Sequence, residues 1–174
     1  NGQYAATMCL TETQAGSSLS DISTEATLPK NSKDIGDCYR IQGQKIFISA
    51  GDHDATENIV HLVLARVNGS PKGTKGISLF VVRKKRKESD GHLVSNDVTS
   101  IGLFPKMGQH STPALHLAFG AKDDCFGYLI GEEGKGLVYM FQLMNTARLG
   151  VGLAGTYIAS AAYYASLKYA KERP

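Results

Sequence analysis

The chain has 174 residues, 42% of them hydrophobic and 20% charged, which is enough apolar material to bury a core and too much for a disordered polypeptide. Nineteen Lys and Arg against sixteen Asp and Glu leave a formal charge of +3, and the excess is concentrated in the run Arg83-Lys84-Lys85-Arg86-Lys87, which reads as a solvated loop before it reads as a nucleic-acid patch. Cys9, Cys38 and Cys125 are odd in number and widely spaced; neither a disulfide framework nor a zinc site is suggested, a reducing cytoplasmic setting is expected, and without a secretory leader or an uninterrupted apolar span no membrane is expected.

In chain order, the first feature is "MCLTETQAGSS" (8–18), where a short apolar run gives way to a loop of hydroxyls and amides. Gly16 permits close approach of backbone to a ligand, and the neighbouring donors suit anionic or carbonyl oxygens. A hydroxyl-rich loop capping a turn is the other reading, and from these residues alone both stay open. Strand-type segments follow at 39–49 ("YRIQGQKIFIS"), 59–67, 76–84 and 115–120, separated by Gly, Pro, Asn and Asp clusters. The nearly continuous apolar stretch Ile77 to Val82 suits a strand covered on both faces. Several short strands in series predict an antiparallel barrel or sandwich.

The segment "GSPKGTKG" (69–76) lacks the spacing of a phosphate loop and reads as a hairpin turn. "GEEGKG" (131–136) carries two acids, which would repel a pyrophosphate, and reads as the turn that starts a helix. His53, His61, His92, His110 and His116 show no ligand spacing, so no metal is expected, and no G-x-S-x-G elbow is present. From Leu137 to Arg173 apolar residues follow a helical period (Leu137, Met140, Phe141, Met144, Val151), yet the opposite face (Tyr139, Leu143, Leu149, Leu153, Tyr157) is apolar too. Such a helix wants cover on several sides, so the chain has the look of a piece of something larger. The expected fold is α+β, an antiparallel β-barrel or sandwich over 1–131 followed by one long α-helix of a truncated helical bundle over 132–174.

Five ordered stretches, "CLTETQAGSS", "YRIQGQKIFISAG", "KMGQHSTPALHLAFG", "GYLIGEEGKGL" and "TARLGVGLAG", resemble the middle and early C-terminal parts of the acyl-CoA dehydrogenases. Within that family "GDHDATENIVHLVLAR" resembles the larger bacterial members, such as the 3-methylmercaptopropionyl-CoA dehydrogenases. The resemblance implies a central β-barrel plus the first bundle helix, with FAD as cofactor. It implies a ring resting on Met8, Leu10 and Thr11, with Thr11 donating to the pyrimidine side and the N5 region, where negative charge develops. Gly16 and Ser17 would line the adjoining cofactor and acyl-CoA groove. Phe47 stands where the family usually has tryptophan, Ser49 where threonine is usual, with Ile48 between them, and Thr13 replaces a frequent proline, which should loosen the loop. Arg148 falls on a family arginine assigned to substrate. Because Ala147 precedes it, the catalytic base is expected beyond Pro174, and no catalytic residue is expected in these 174. The implied activity is dehydrogenation of an acyl-CoA thioester to a trans-2-enoyl-CoA, with electron-transferring flavoprotein as acceptor and a homo-oligomeric full-length protein. The alternatives are an alkylation-response-type relative that binds DNA through the basic run and a non-catalytic flavoprotein scaffold.

Overall fold

A computed structural model describes residues 2–29 and 38–174; the part of the expected strand-and-turn region at 30–37 lies outside the described residues. The elements are β1 (Tyr4–Cys9), β2 (Glu25–Thr27), β3 (Cys38–Ser49), β4 (Asn58–Val67), β5 (Ile77–Arg83), β6 (Lys85–Lys87), β7 (Leu93–Ser95), β8 (Val98–Phe104), β9 (Ala114–Phe119), β10 (Phe126–Leu129) and α1 (Gly136–Glu172). They fall into two compact units, Asn1–Leu137 and Val138–Pro174.

Hydrogen bonding closes a ring. β4 pairs with β5, β5 with β10, β10 with β3 and β3 with β2, all antiparallel, and β2 returns to β4 in parallel. The first unit is therefore a barrel, with β9 and β8 extending the sheet from β3. Among the described strands β1 and β2 are the exceptions to the antiparallel expectation: both run parallel to β4, β1 opposite Asn58 to Val63 and β2 opposite Arg66 and Val67. They occupy one edge of β4 in succession. The chain leaves that edge after Cys9 and regains it at Glu25, and the excursion between them carries the hydroxyl-rich loop.

The interior is filled by Ile41, Ile48, Val63, Ala65, Phe80, Val82, Leu117 and Phe119, each large side chain contributing about 1.5–3 kcal/mol on burial. Tyr39 meets Phe80 edge to face at 5.2 Å. On β5 Ile77, Ser78, Leu79 and Phe80 are all buried, as the continuous apolar run implies. The segment after β10 covers the outer side of β5: Ile130 N–H donates to Leu79 O at 2.8 Å and Gly134 N–H to Ser78 Oγ at 2.9 Å. Gly136 passes so close that a Cβ there would lie 2.5 Å from the Ser78 carbonyl carbon. The 69–76 segment is the hairpin connection expected, since Arg66 of β4 faces Ile77 of β5 across it.

The basic run is not a loop. It forms the end of β5 and all of β6, and strand alternation sorts its charges. Lys84 turns toward Asp52 in an ion pair. Arg86 pairs with Asp124 at 2.7 Å and stacks 5.2 Å from the centre of the Phe126 ring. Arg83, Lys85 and Lys87 face outward.

The second unit is α1. Leu149, Val151, Leu153, Tyr157, Ile158 and Tyr164 are all exposed, so the helix presents apolar surface on more than one face. Among the described residues no helix is long and apolar enough to cross a membrane.

Candidate flavin-binding face

The excursion from 10 to 24 is organised around one carboxylate. Glu12 Oε2 accepts from Gln14 Nε2 (2.7 Å), Ser23 N (2.8 Å) and Ser23 Oγ (2.7 Å), while Oε1 accepts from Thr24 N (3.0 Å) and Thr24 Oγ1 (2.6 Å). Its remaining partner is Lys45 of β3 at 2.8 Å, and the same ammonium donates to Leu10 O at 3.1 Å. Both side chains are out of water, Lys45 at 0% and Glu12 at 3% exposure. Burial alone would raise the Glu12 carboxyl; the Lys45 cation and the Thr24 and Ser23 donors outweigh it and hold the group down at about 2. Burial lowers the Lys45 amine and Glu12 opposes that shift. Of the opening stretch itself only the Gln14 amide serves this acid; its hydroxyl partners, Ser23 and Thr24, come from farther along the loop. Two reciprocal backbone bonds, Glu12 N–H to Ala15 O (2.9 Å) and Ala15 N–H to Glu12 O (3.2 Å), close the turn at Thr13.

The two stretches singled out in the sequence lie side by side, since Ile46 N–H donates to Thr11 O at 2.9 Å. β3 carries a bulge here, its register against β9 shifting between Lys45 and Ile48. Within the bulge Phe47 sits at φ +58, a conformation that costs a bulky residue about 1–3 kcal/mol. The result is that Ile46 and Ile48 are buried, Ile48 in the barrel core, while Phe47 and Ser49 are exposed, Phe47 at 58%. Its ring lies 4.5 Å from that of Phe104 on β8, which stacks on His116 at 6.5 Å. Met8 and Leu10 alternate with the buried Cys9 and are half-buried.

Of the expected site residues, Met8, Leu10, Thr11, Phe47 and Ser49 are therefore brought to the outer barrel surface. Ile48 is in the core at 3% exposure and has only its backbone to offer a ligand. Gly16 and Ser17 are exposed on the same loop as Thr11, and a Cβ at Gly16 would meet nothing within 4 Å. The Thr11 amide and hydroxyl and the Ser17 and Ser49 hydroxyls donate to no acceptor among the described residues. A flat heteroaromatic ring bearing carbonyl and imine acceptors matches this set: an outward aromatic beside donors that have no internal partner. Arg148 belongs to the second unit, where it donates to Asn145 Oδ1 at 3.1 Å and lies 5.6 Å from the Phe141 ring centre.

Sequence reasoning missed Lys45, Glu12 and Phe104. The signal for Lys45 was present: it shares the inward register of Ile41 and Gly43 on β3, a charged residue where the alternation calls for an apolar one. The three cysteines are free and buried, and burial pushes the Cys9 and Cys125 thiols up to about 12, so neither is a nucleophile. Among the described residues no cluster of three or more His, Cys, Asp or Glu could hold a metal ion.

The fold places the chain with the antiparallel β-barrel domains. The family is narrower: a sequence model of the acyl-CoA dehydrogenase middle domain matches residues 7–121, and the chain belongs to the acyl-CoA dehydrogenase family. It is 42% identical over 179 residues to a butyryl-CoA dehydrogenase of Syntrophomonas wolfei, covering 99% of this chain and 29% of the relative. It is 44% identical to the 3-methylmercaptopropionyl-CoA dehydrogenase of Ruegeria pomeroyi, covering 99% of this chain and 28% of that one. The crystal structure of an acyl-CoA dehydrogenase from Geobacillus kaustophilus superposes with a TM-score of 0.70 at 31% identity, over 97% of this chain and 40% of its own. The chain thus spans less than a third of the length of these two curated relatives.

Proposed function

We propose that the full protein, with residues 1–131 as its β-barrel domain and 132–174 as the start of its helical domain, is an FAD-dependent acyl-CoA dehydrogenase. The reaction removes a proton from Cα and a hydride from Cβ of an acyl-CoA thioester and leaves a trans-2-enoyl-CoA. FAD, when bound, supplies the hydride-accepting centre. Thr11, through its amide and hydroxyl, and Ser49, through its hydroxyl, would hold the polar edge of the ring and offer donors for negative charge on it. Phe47, with Met8 and Leu10, covers a ring face and keeps water from it. Ser17 and the Gly16 backbone face the groove for the acyl-CoA, and Arg148 is assigned to substrate. The proton is taken by a carboxylate assigned outside these residues, because Ala147 occupies the position beside Arg148 that carries the base in some of the family.

The observation that carries this reading is the pairing of Phe47, held outward at φ +58, with donors at Thr11 and Ser49 that have no acceptor among the described residues. Purified full-length protein given excess FAD should show flavin absorbance that bleaches with an acyl-CoA; protein that stays colourless after reconstitution refutes it. We assign electron-transferring flavoprotein as acceptor, a homo-oligomer as the working form and the cytoplasm as location, in keeping with three free thiols. Two cations of the basic run already serve Asp52 and Asp124, which speaks against a nucleic-acid surface there.

A further inference from the structure

We propose that Lys45 tunes the flavin through a single peptide group: its buried ammonium donates to the Leu10 carbonyl, and the N–H of that same peptide, on Thr11, is the donor offered to the ring. The proposal rests on the reading that FAD occupies this face.

The geometry follows from peptide planarity. No cis peptide is present among the described residues, so the Leu10 carbonyl and the Thr11 N–H point in opposite directions. The carbonyl is aimed at a fully buried amine 3.1 Å away, and the N–H is consequently aimed away from it, with no acceptor among the described residues. Donation to the carbonyl draws electron density out of the amide and makes its N–H a stronger donor, an effect enhanced where water is excluded. It matters most when the acceptor becomes negative, which on this face is when the ring has been reduced.

Stability gives no reason for an amine at this position. A buried ion pair is commonly matched or bettered by apolar residues of the same volume. Yet the chain commits Glu12, with donors from Gln14, Ser23 and Thr24, to keeping this ammonium charged and still. Glu12 cancels the net charge, so what the ring senses is the polarised peptide. Lys45 is thus a positioning residue that acts through Leu10 and Thr11 without touching the cofactor.

The test is the midpoint potential of FAD bound to the full-length holoprotein, followed spectroscopically. Lys45→Met should weaken two-electron reduction about tenfold, a fall of about 30 mV, and Lys45→Arg, which keeps a cationic donor, should recover most of it. The double variant Glu12→Gln with Lys45→Met leaves no unpaired buried charge and should show the same fall. A wild-type readout stands if neither variant folds: in selectively labelled holoprotein the Thr11 amide proton should move downfield on FAD binding and further on reduction. Variants that hold FAD at the wild-type potential, or a Thr11 amide indifferent to the cofactor, overturn the proposal while leaving FAD binding intact. Wild-type protein that takes up no FAD overturns the functional reading and this proposal with it.

Discussion

Mild acid should destabilise the barrel through one histidine. His61 on β4 is completely buried, its Nδ1 2.8 Å from the Thr7 hydroxyl and its ring edge-on to Phe119 at 5.7 Å, while Nε2 has no partner among the described residues. Burial, and then the Lys84 cation, push its pKa down from an ordinary 6.5 to about 4, with the Asp52 carboxylate opposing. The folded value lies below the unfolded one, so on acidification the unfolded chain takes up the proton first. The contribution is intact above the unfolded pKa and is lost as pH falls through the folded one. Across the full gap this amounts to about 3 kcal/mol, of which about 2 kcal/mol is gone by roughly pH 5. Glu12 loses its contribution in the same direction but lower, between its ordinary 4.5 and about 2, so the window above about pH 5 belongs to His61. Urea unfolding of wild type and of His61→Leu between about pH 7 and pH 5 gives the comparison, with the variant expected to lose the slope. Equal slopes in the two proteins, or a His61 ring that titrates near its ordinary value by NMR, would refute the argument.

Three further outcomes are expected. Thr11→Ala and Ser49→Ala should each weaken FAD binding or its reduction by roughly 1–3 kcal/mol, and wild-type affinity and reduction in both would move the site elsewhere. Gly120→Ala should lower the melting temperature, because φ is +71 and the new Cβ would lie 2.3 Å from Ile41 O, a combination that costs more than about 1 kcal/mol; an unchanged melt counts against the local geometry. The 174-residue chain alone should self-associate through α1, where Leu149, Val151 and Ile158 are 77%, 73% and 72% exposed, and light scattering that reports a clean monomer at low micromolar concentration would show that those faces do not act as a contact.

The strands legible in advance were those whose pattern is set by burial. β3, β4, β5 and β9 lie within one residue of the apolar runs that announced them, and α1 runs from Gly136 to Glu172 where Leu137 to Arg173 was expected. The others are short or polar: β2 is Glu-Ala-Thr and β6 is Lys-Arg-Lys, and both are strands only because neighbours supply hydrogen bonds. Their identity is a tertiary fact, and no local propensity carries it. The parallel runs of β1 and β2 beside β4 were hidden for a related reason. Antiparallel pairing of consecutive strands follows from short turns, whereas both of these pair with a strand that comes later, β1 across the excursion and β3, β2 across β3.

At the site, residue types were legible and their duties only in part. The donors of "TETQAGSS" leave a ligand and a capped turn equally open, and the structure divides them: the Thr11 and Ser17 hydroxyls meet no acceptor among the described residues, while Gln14 turns to Glu12, as do Ser23 and Thr24 from farther along the loop. The distinction lies in long-range partners, because Glu12 becomes a buried hub only once β3 delivers Lys45 across a separation of thirty-three residues. The same encounter accounts for the bulge. Lys45 must point in to reach Glu12 and Leu10, Ile48 points in to join the barrel core, and a regular strand cannot send two residues three apart to one side. The extra residue is absorbed between Lys45 and Ile48, and Phe47 takes the positive φ that results. The aromatic that faces outward and the amine that reaches the Leu10 carbonyl thus meet at one bulge, Lys45 on the inward side of the strand and Phe47 on the outward side two residues later.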